Sequence, residues 1–200
     1  MLVEKSVIVF DLGGVLVENS TFDELPKLLK GEVERSALFE RWLHSASVRQ
    51  FERGLIDENV FAANFIDEWA LRISPSDFLA QFTTWPKAPY PGALELLSNL
   101  KAKYQIGVLS NCNHVHWSRF PEILEQIAHP FSSHILGLVK PDEEIFRGVA
   151  GRIGCRAADI HFFDDSESNV DAARVAGWNA HRTQGLTEVI SRLQALGCAF

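Results

Sequence analysis

The sequence predicts an α/β fold: a parallel sheet covered by helices on both faces and interrupted, after its first strand, by an all-helical insert. Three observations predict it. An apolar run from Val7 to Phe10 stops abruptly at Asp11-Leu12-Gly13-Gly14, the stretch from 17 to 88 carries only helical signals, and from "WPKAPYPG" onward helix-like and strand-like segments alternate. Such alternation places helices on both faces of a parallel sheet. The 200 residues, 46% of them hydrophobic, are enough for one sizeable core with a smaller subdomain beside it.

Ser6 to Phe10 is β-rich, and the glycines after Asp11 permit a tight turn and close backbone approach to a ligand. Helical segments follow in "TFDELPKLLK", "EVERSALFERWLHSA" and "DENVFAANFIDEWAL", the last with Phe61, Phe65 and Trp69 on one face. In "SPSDFLAQF", Ser74 is an N-cap and Pro75 the first helical residue. The three prolines of "WPKAPYPG" mark a boundary or hinge. A helix "GALELLSNLKAK", a strand "QIGVLS", a helical region, a short strand "SHILG" and a helix "DEEIFRGVAGRIG" come next. The strand "IHFFDD", the helix "SNVDAARVAG", a short strand at Asn179 to His181 and the helix "LTEVISRLQALG" complete the chain. The expected architecture is a three-layer, Rossmann-like core formed by residues 1–16 and 89–200, with a helical insert at 17–88.

The formal net charge of −7, with both signs mixed along the chain, leaves no long basic patch for nucleic acid or an anionic membrane surface. No segment approaches the roughly 20 apolar residues a membrane helix needs. Cys112, Cys155 and Cys198 are far apart and form no CxxC pair, which fits a reducing compartment and argues against structural zinc. A cytoplasmic protein is expected; the sequence carries no signal for its oligomeric state.

Asp11, Ser110 and the pair Asp164-Asp165 each sit where a predicted strand ends. Open α/β sheets bind ligands outside those carboxyl ends, so the four groups should converge in one crevice, joined by Lys140 of "LVKPDEEIF". Singly, each suits a turn or a helix cap. Together they exceed what capping requires, because adjacent carboxylates repel unless a cation lies between them.

"FDLGGVLVE", "VLSNCN", "KPDEEIF" and "FFDDSESNVDAA" resemble, in order and spacing, the four signature motifs of the haloacid dehalogenase superfamily. The resemblance covers essentially the whole chain, and "FERGLIDENVF" resembles part of that family's helical cap. It implies that Asp11 is a nucleophile forming an aspartyl-phosphate, and that Ser110, Asn111 and Lys140 hold phosphoryl oxygens, Lys140 with positive charge. It also implies a magnesium ion on Asp11, the Gly13 main-chain carbonyl, Asp165 and Asp164, hard oxygen ligands suited to that ion. Asn169 would orient Lys140 or a metal-bound water. The implied substrate is a small phosphorylated metabolite.

Gly13 departs from the pattern, since most phosphatases of the family carry there an aspartate that protonates the leaving group. General acid/base help is typically worth ~10²–10⁴-fold, so its loss slows such an enzyme without making it inert. Either the leaving group is a good one, or another side chain supplies the proton. His116 is the candidate for that role, with His114 and Glu18 behind it. Asp-Leu-Gly-Gly-Val together with Ser-Asn-x-Asn-x-x-His resembles a subgroup that includes the alpha-glucose-1-phosphate phosphatases, which favours a sugar phosphate. Two rivals stand beside the phosphatase. A dehalogenase attacking carbon has little use for an adjacent acidic pair, and a quiet phospho-ligand or partner-binding protein would bind magnesium and phosphate analogues without turnover. Within the insert, the helical spacing of Trp42, Phe61, Phe65 and Trp69 reads as core, and Trp85 as a hinge residue.

Overall fold

The computed structural model describes residues 6–200; residues 1–5 of the predicted first core segment lie outside the described residues. In chain order the elements begin with β1 (Val7–Phe10) and β2 (Val17–Asn19). Five helices follow: α1 (Thr21–Leu28), α2 (Arg35–Leu43), α3 (Ala46–Glu52), α4 (Glu58–Trp69) and α5 (Pro75–Phe82). Then come β3 (Pro86–Pro89), α6 (Ala93–Leu100), β4 (Gln105–Ser110), α7 (His114–Trp117), α8 (Pro121–Leu124), β5 (His129–Ser132) and α9 (Ser133–Leu136). The chain closes with α10 (Glu143–Ile153), β6 (Ile160–Asp164), α11 (Glu167–Val175), β7 (Asn179–Arg182) and α12 (Gly185–Ala195).

The main sheet runs β5-β4-β1-β6-β7, and each pairing is parallel. β1 is central, and its side chains alternate between two cores, as a strand's must. Ile8 and Phe10 pack with Leu97 of α6, Ile123 of α8 and Leu193 of α12, while Val7 and Val9 face Phe146 of α10 and Val170 of α11. Burial on both faces explains why the strand is apolar at every position rather than at alternate ones.

The insert has its own aromatic core. Phe51 stacks on Phe61 at 4.3 Å between ring centroids, and Phe65 lies between Trp69 and Phe78 at 5.0 and 5.1 Å. Such contacts add about 0.5–1.5 kcal/mol each to the area they bury. Ser74 caps α5 by accepting from the Asp77 N–H, with Pro75 at the first helical position.

Two expectations need correction. The insert is not wholly helical: β2 and β3 form an antiparallel two-stranded ribbon at its root. Pro86 and Pro89 therefore sit in a short ribbon, whose edges tolerate missing donors, and Trp85 lies in the insert's core with its carbonyl accepting from the N–H and hydroxyl of Ser20. Likewise "SHILG" is no strand. Its first four residues make α9, ended by Gly137 at φ 72°, and the fifth strand is the preceding "HPFS", paired with β4 from Gly107–His129 to Ser110–Ser132. No helix among the described residues is long and apolar enough to cross a membrane, and all three cysteines are free thiols.

Candidate active site

β4, β1 and β6 are adjacent in the sheet, so the residues that end them meet at one edge. Asp11 follows β1, Ser110 ends β4 and Asp164 ends β6. Lys140 enters from the loop between α9 and α10. Its ammonium is almost wholly buried, 2.6 Å from Asp164 Oδ2, 3.0 Å from the Leu109 carbonyl and 3.2 Å from Asp11 Oδ1. Three acceptors thus meet three N–H bonds. Burial alone would lower the Lys140 pKa, but Asp11 and Asp164 outweigh it and hold the cation firmly charged.

The Asp11 carboxylate accepts from the Leu12 N–H at 2.7 Å and from the Ser110 hydroxyl. Burial pushes its pKa up; Lys140 opposes the rise, and Asp164 adds to it. Asp164 is fully occupied, accepting from Lys140, from the Ser166 N–H and from the Asn169 amide. Asn169 therefore orients the carboxylate that orients the lysine, which agrees with a positioning role. Asp165 is the less committed member of the pair, and burial followed by the charges of Asp11 and Asp164 pushes its carboxyl up to about 7.

Asn111 does something other than expected. Its side chain grips the Lys140 main chain at two points: Oδ1 accepts from the Lys140 N–H at 2.8 Å, and Nδ2 donates to the Lys140 carbonyl at 2.9 Å. One of its two amide N–H bonds and its oxygen are thereby committed to the main chain. What Asn111 fixes is the backbone that carries the ammonium.

His116 also needs correction as a proton donor. Nε2 lies 2.9 Å from the Phe82 carbonyl and Nδ1 3.2 Å from Asn113 Nδ2, so the ring donates to the one and accepts from the other as a neutral imidazole. Burial pushes its pKa down to about 4. The ring also packs on Phe82 at 4.3 Å, which makes it a tie between α5 and α7. His114 is exposed and pairs with Glu58 at 2.9 Å, a second tie of the same kind, and Glu18 is exposed on β2.

A cavity of about 180 Å³ opens over this cluster. Its floor is Asp11, Ser110, Lys140 and Asp165, and part of its far wall is Phe22, Phe39, Trp42, Leu43, Val48 and Phe82 from the insert. Sequence reasoning assigned no role to three polar residues that also line it. Asn19 accepts from the N–H and hydroxyl of Thr21, and a Cβ on Gly13 would lie 2.9 Å from its amide nitrogen. Arg49 bridges to Asp142 at 2.7 Å. Glu52, the last residue of α3, is half-buried as a whole, and burial of its carboxyl, with a smaller push from Asp11, raises its pKa to about 8 against the pull of Lys140 and Arg49. The quoted "FERGL" contains Glu52, but which way its side chain points depends on how the insert docks.

A family model for haloacid dehalogenase-like hydrolases matches residues 5–177. Flavin mononucleotide hydrolase 1 of Arabidopsis thaliana is 27% identical over 96% of this chain and 77% of its own length. A sesquiterpene phosphatase of Aspergillus oryzae is 28% identical over 95% of this chain and 96% of its own. A solved HAD-family enzyme of Bacteroides thetaiotaomicron, in complex with magnesium and inorganic phosphate, has a TM-score of 0.70 at 22% identity, covering 90% of this chain and 94% of that one. Sheet order, the placing of Asp11, Ser110, Lys140 and the acidic pair, and the match along most of the sequence agree: the chain belongs to the haloacid dehalogenase-like hydrolases, a family of enzymes.

Proposed function

We propose that this enzyme is a magnesium-dependent phosphomonoester hydrolase working through an aspartyl-phosphate on Asp11. The observation that carries the reading is one buried cation, Lys140, held between the Asp11 carboxylate and Asp164 at the end of the sheet, with Asp165 facing the same cavity. An anionic ester brought to this floor meets Lys140 and the Ser110 hydroxyl through its phosphoryl oxygens, and an Asp11 oxygen attacks phosphorus. Water then cleaves the acyl phosphate and restores the carboxylate.

The residues fit a magnesium ion. Ligand atoms of Asp11, Asp164 and Asp165 lie within 4.8 Å of one another and all are hard oxygens. Asp11, Asp165 and the Gly13 carbonyl would hold the ion, with Asp164 behind them fixing Lys140. When bound, magnesium neutralises charge between an anionic nucleophile and an anionic ester.

Residues 17–88 act in this reading as a cap that selects the leaving group. Its aromatic and aliphatic wall favours a phosphate ester with an aromatic or hydrocarbon portion over the bare sugar phosphate suggested by the subgroup motif. The names of two relatives, a flavin mononucleotide hydrolase and a sesquiterpene phosphatase, point to portions of that kind. Three free thiols favour a cytoplasmic setting.

The test is phosphate release from flavin mononucleotide, a prenyl phosphate, glucose 1-phosphate and an activated aryl phosphate, with and without magnesium, beside Asp11→Asn. Magnesium-dependent release lost in Asp11→Asn, with glucose 1-phosphate the poorest ester, is expected. No release from any ester by folded protein that binds magnesium would leave a phospho-ligand-binding protein instead.

A further inference from the structure

The proposed reaction leaves one proton unaccounted for. When Asp11 displaces an unactivated alcohol from phosphorus, the departing oxygen must be protonated, and Gly13 beside the nucleophile has no side chain to do it. The neighbouring groups are committed elsewhere. Lys140 stays on Asp164 and the Leu109 carbonyl, and its Asp11 contact, like that of the Ser110 hydroxyl, is exchanged in the proposed reaction for a phosphoryl oxygen; the His116 N–H points to the Phe82 carbonyl. The Cys112 thiol lies 3.5 Å from the Asn113 carbonyl, and burial, with a smaller effect from Glu52, pushes its pKa up.

Glu52 differs from all of these. It reaches the cavity wall from the insert, across from the Asp11 floor, and its carboxyl makes no hydrogen bond or ion pair to a described residue. The charged and titratable groups that act on it are Lys140, Asp11, Arg49 and Cys112. We propose that Glu52 is the general acid and base of this site, donating a proton to the leaving oxygen and later taking one from the attacking water. In the first step the Asp11 oxygen–phosphorus bond forms, the phosphorus–oxygen ester bond breaks, and the Glu52 proton goes to that oxygen, giving the free alcohol. In the second, water attacks phosphorus, its proton returns to Glu52, and the Asp11–phosphorus bond breaks to release phosphate. Ester and water become alcohol and phosphate, and both residues end as they began. The position of its pKa, about 8, means that Glu52 carries the required proton at neutral pH.

The inference rests on the phosphatase reading, and the experiment separates the two. Wild type and Glu52→Gln are compared for kcat/KM with magnesium on aryl phosphates of rising leaving-group pKa and on an alkyl phosphate. Glutamine keeps the size of the side chain but has no proton to transfer. The expected loss is under about tenfold on the most activated ester and ~10²–10⁴-fold on the alkyl ester. A uniform loss along the series would make Glu52 a residue of cap position, and no loss would remove it altogether. The wild-type pH profile checks the same point without a variant: the alkyl ester should lose rate above about pH 8, the activated ester should not, and parallel profiles would overturn the assignment. Absence of wild-type turnover on every ester would sink the phosphatase reading itself.

Discussion

Replacing Lys140 by methionine removes charge while keeping most of the volume, and the structure fixes what that must do. The ammonium is 1% exposed and is the counter-ion of both Asp11 and Asp164, at 3.2 and 2.6 Å. Removing one partner of a buried ion pair costs about 3–5 kcal/mol, because the charge left behind has lost its compensation. For a chain of this size, with about 2–4 °C per kcal/mol, that corresponds to a fall in Tm of roughly 10 °C. The cost depends on pH. In the variant Asp11, whose pKa burial already pushes up and from which the opposing Lys140 charge is gone, can relieve the repulsion by binding a proton, and each pH unit above its pKa makes that harder by about 1.4 kcal/mol. Stability lost relative to wild type should therefore be larger at pH 8 than at pH 5, in protein stripped of metal with a chelator. Urea unfolding at the two pH values measures it directly. An equal loss at both would mean that Lys140 stabilises by packing alone, and that the reasoning from charge is wrong.

Two further substitutions address how the insert meets the core. Gly54 has φ 68°, and a Cβ there would lie 2.5 Å from the His134 carbonyl. Gly54→Ala should cost about 2–3 kcal/mol of strain and displacement, read as a Tm lowered by roughly 5–10 °C; a Tm within about 1 °C of wild type would show that the junction yields freely. Gly13→Asp places a side chain against the Asn19 amide and should detach Asn19 from Thr21 at the start of α1. A lost acceptor at a helix start costs about 1 kcal/mol, so a small fall in Tm with no gain on the alkyl phosphate is expected, and a gain in turnover would contradict it.

The middle of the sheet is readable in the sequence because its central strands are largely apolar and end on a polar residue with a turn behind it. Val7 to Phe10 before Asp11, and Ile160 to Phe163 before Asp164, are such cases, apart from His161 within the second. β5 escapes for the opposite reason: an edge strand of His, Pro, Phe and Ser needs no continuous apolar run, while Ile135 and Leu136 next to it imitate one although Ile135 is exposed. β2 and β3 are three and four residues long, too short for any period to emerge. At the site, residue types told what was present but not which partner each would choose. Asn111 and His116 carry the right chemistry for phosphate and proton transfer, yet both are committed, to the Lys140 backbone and to the Phe82 carbonyl. Those commitments arise from contacts 29 and 34 residues apart in sequence, which local pattern does not record.

The same long-range contacts bear on how the two parts of the site depend on each other. In the proposed reaction the groups that attack or hold phosphate, Asp11, Ser110 and Lys140, lie at the sheet edge or on the loop tied to it, with a geometry set by parallel pairing and by the Asn111 and Asn169 hydrogen bonds. Glu52 instead belongs to α3. The start of that helix is held by the Glu68 carboxylate, which accepts from the N–H groups of Ala46 and Ser47. Its far end is held against the core by Arg49 on Asp142 and by Arg53 Nε donating to the Gly137 carbonyl at 3.0 Å. A surface ion pair contributes only about 0–1 kcal/mol, so these ties are individually weak beside the buried charges of the floor. A displaced cap would leave Asp11, Ser110 and Lys140 where they are and carry Glu52 away. Attack on an ester that departs unaided survives such a displacement, whereas attack on an unactivated ester needs the cap seated. Discrimination between leaving groups therefore follows from where the proton is kept, in addition to the shape of the apolar wall.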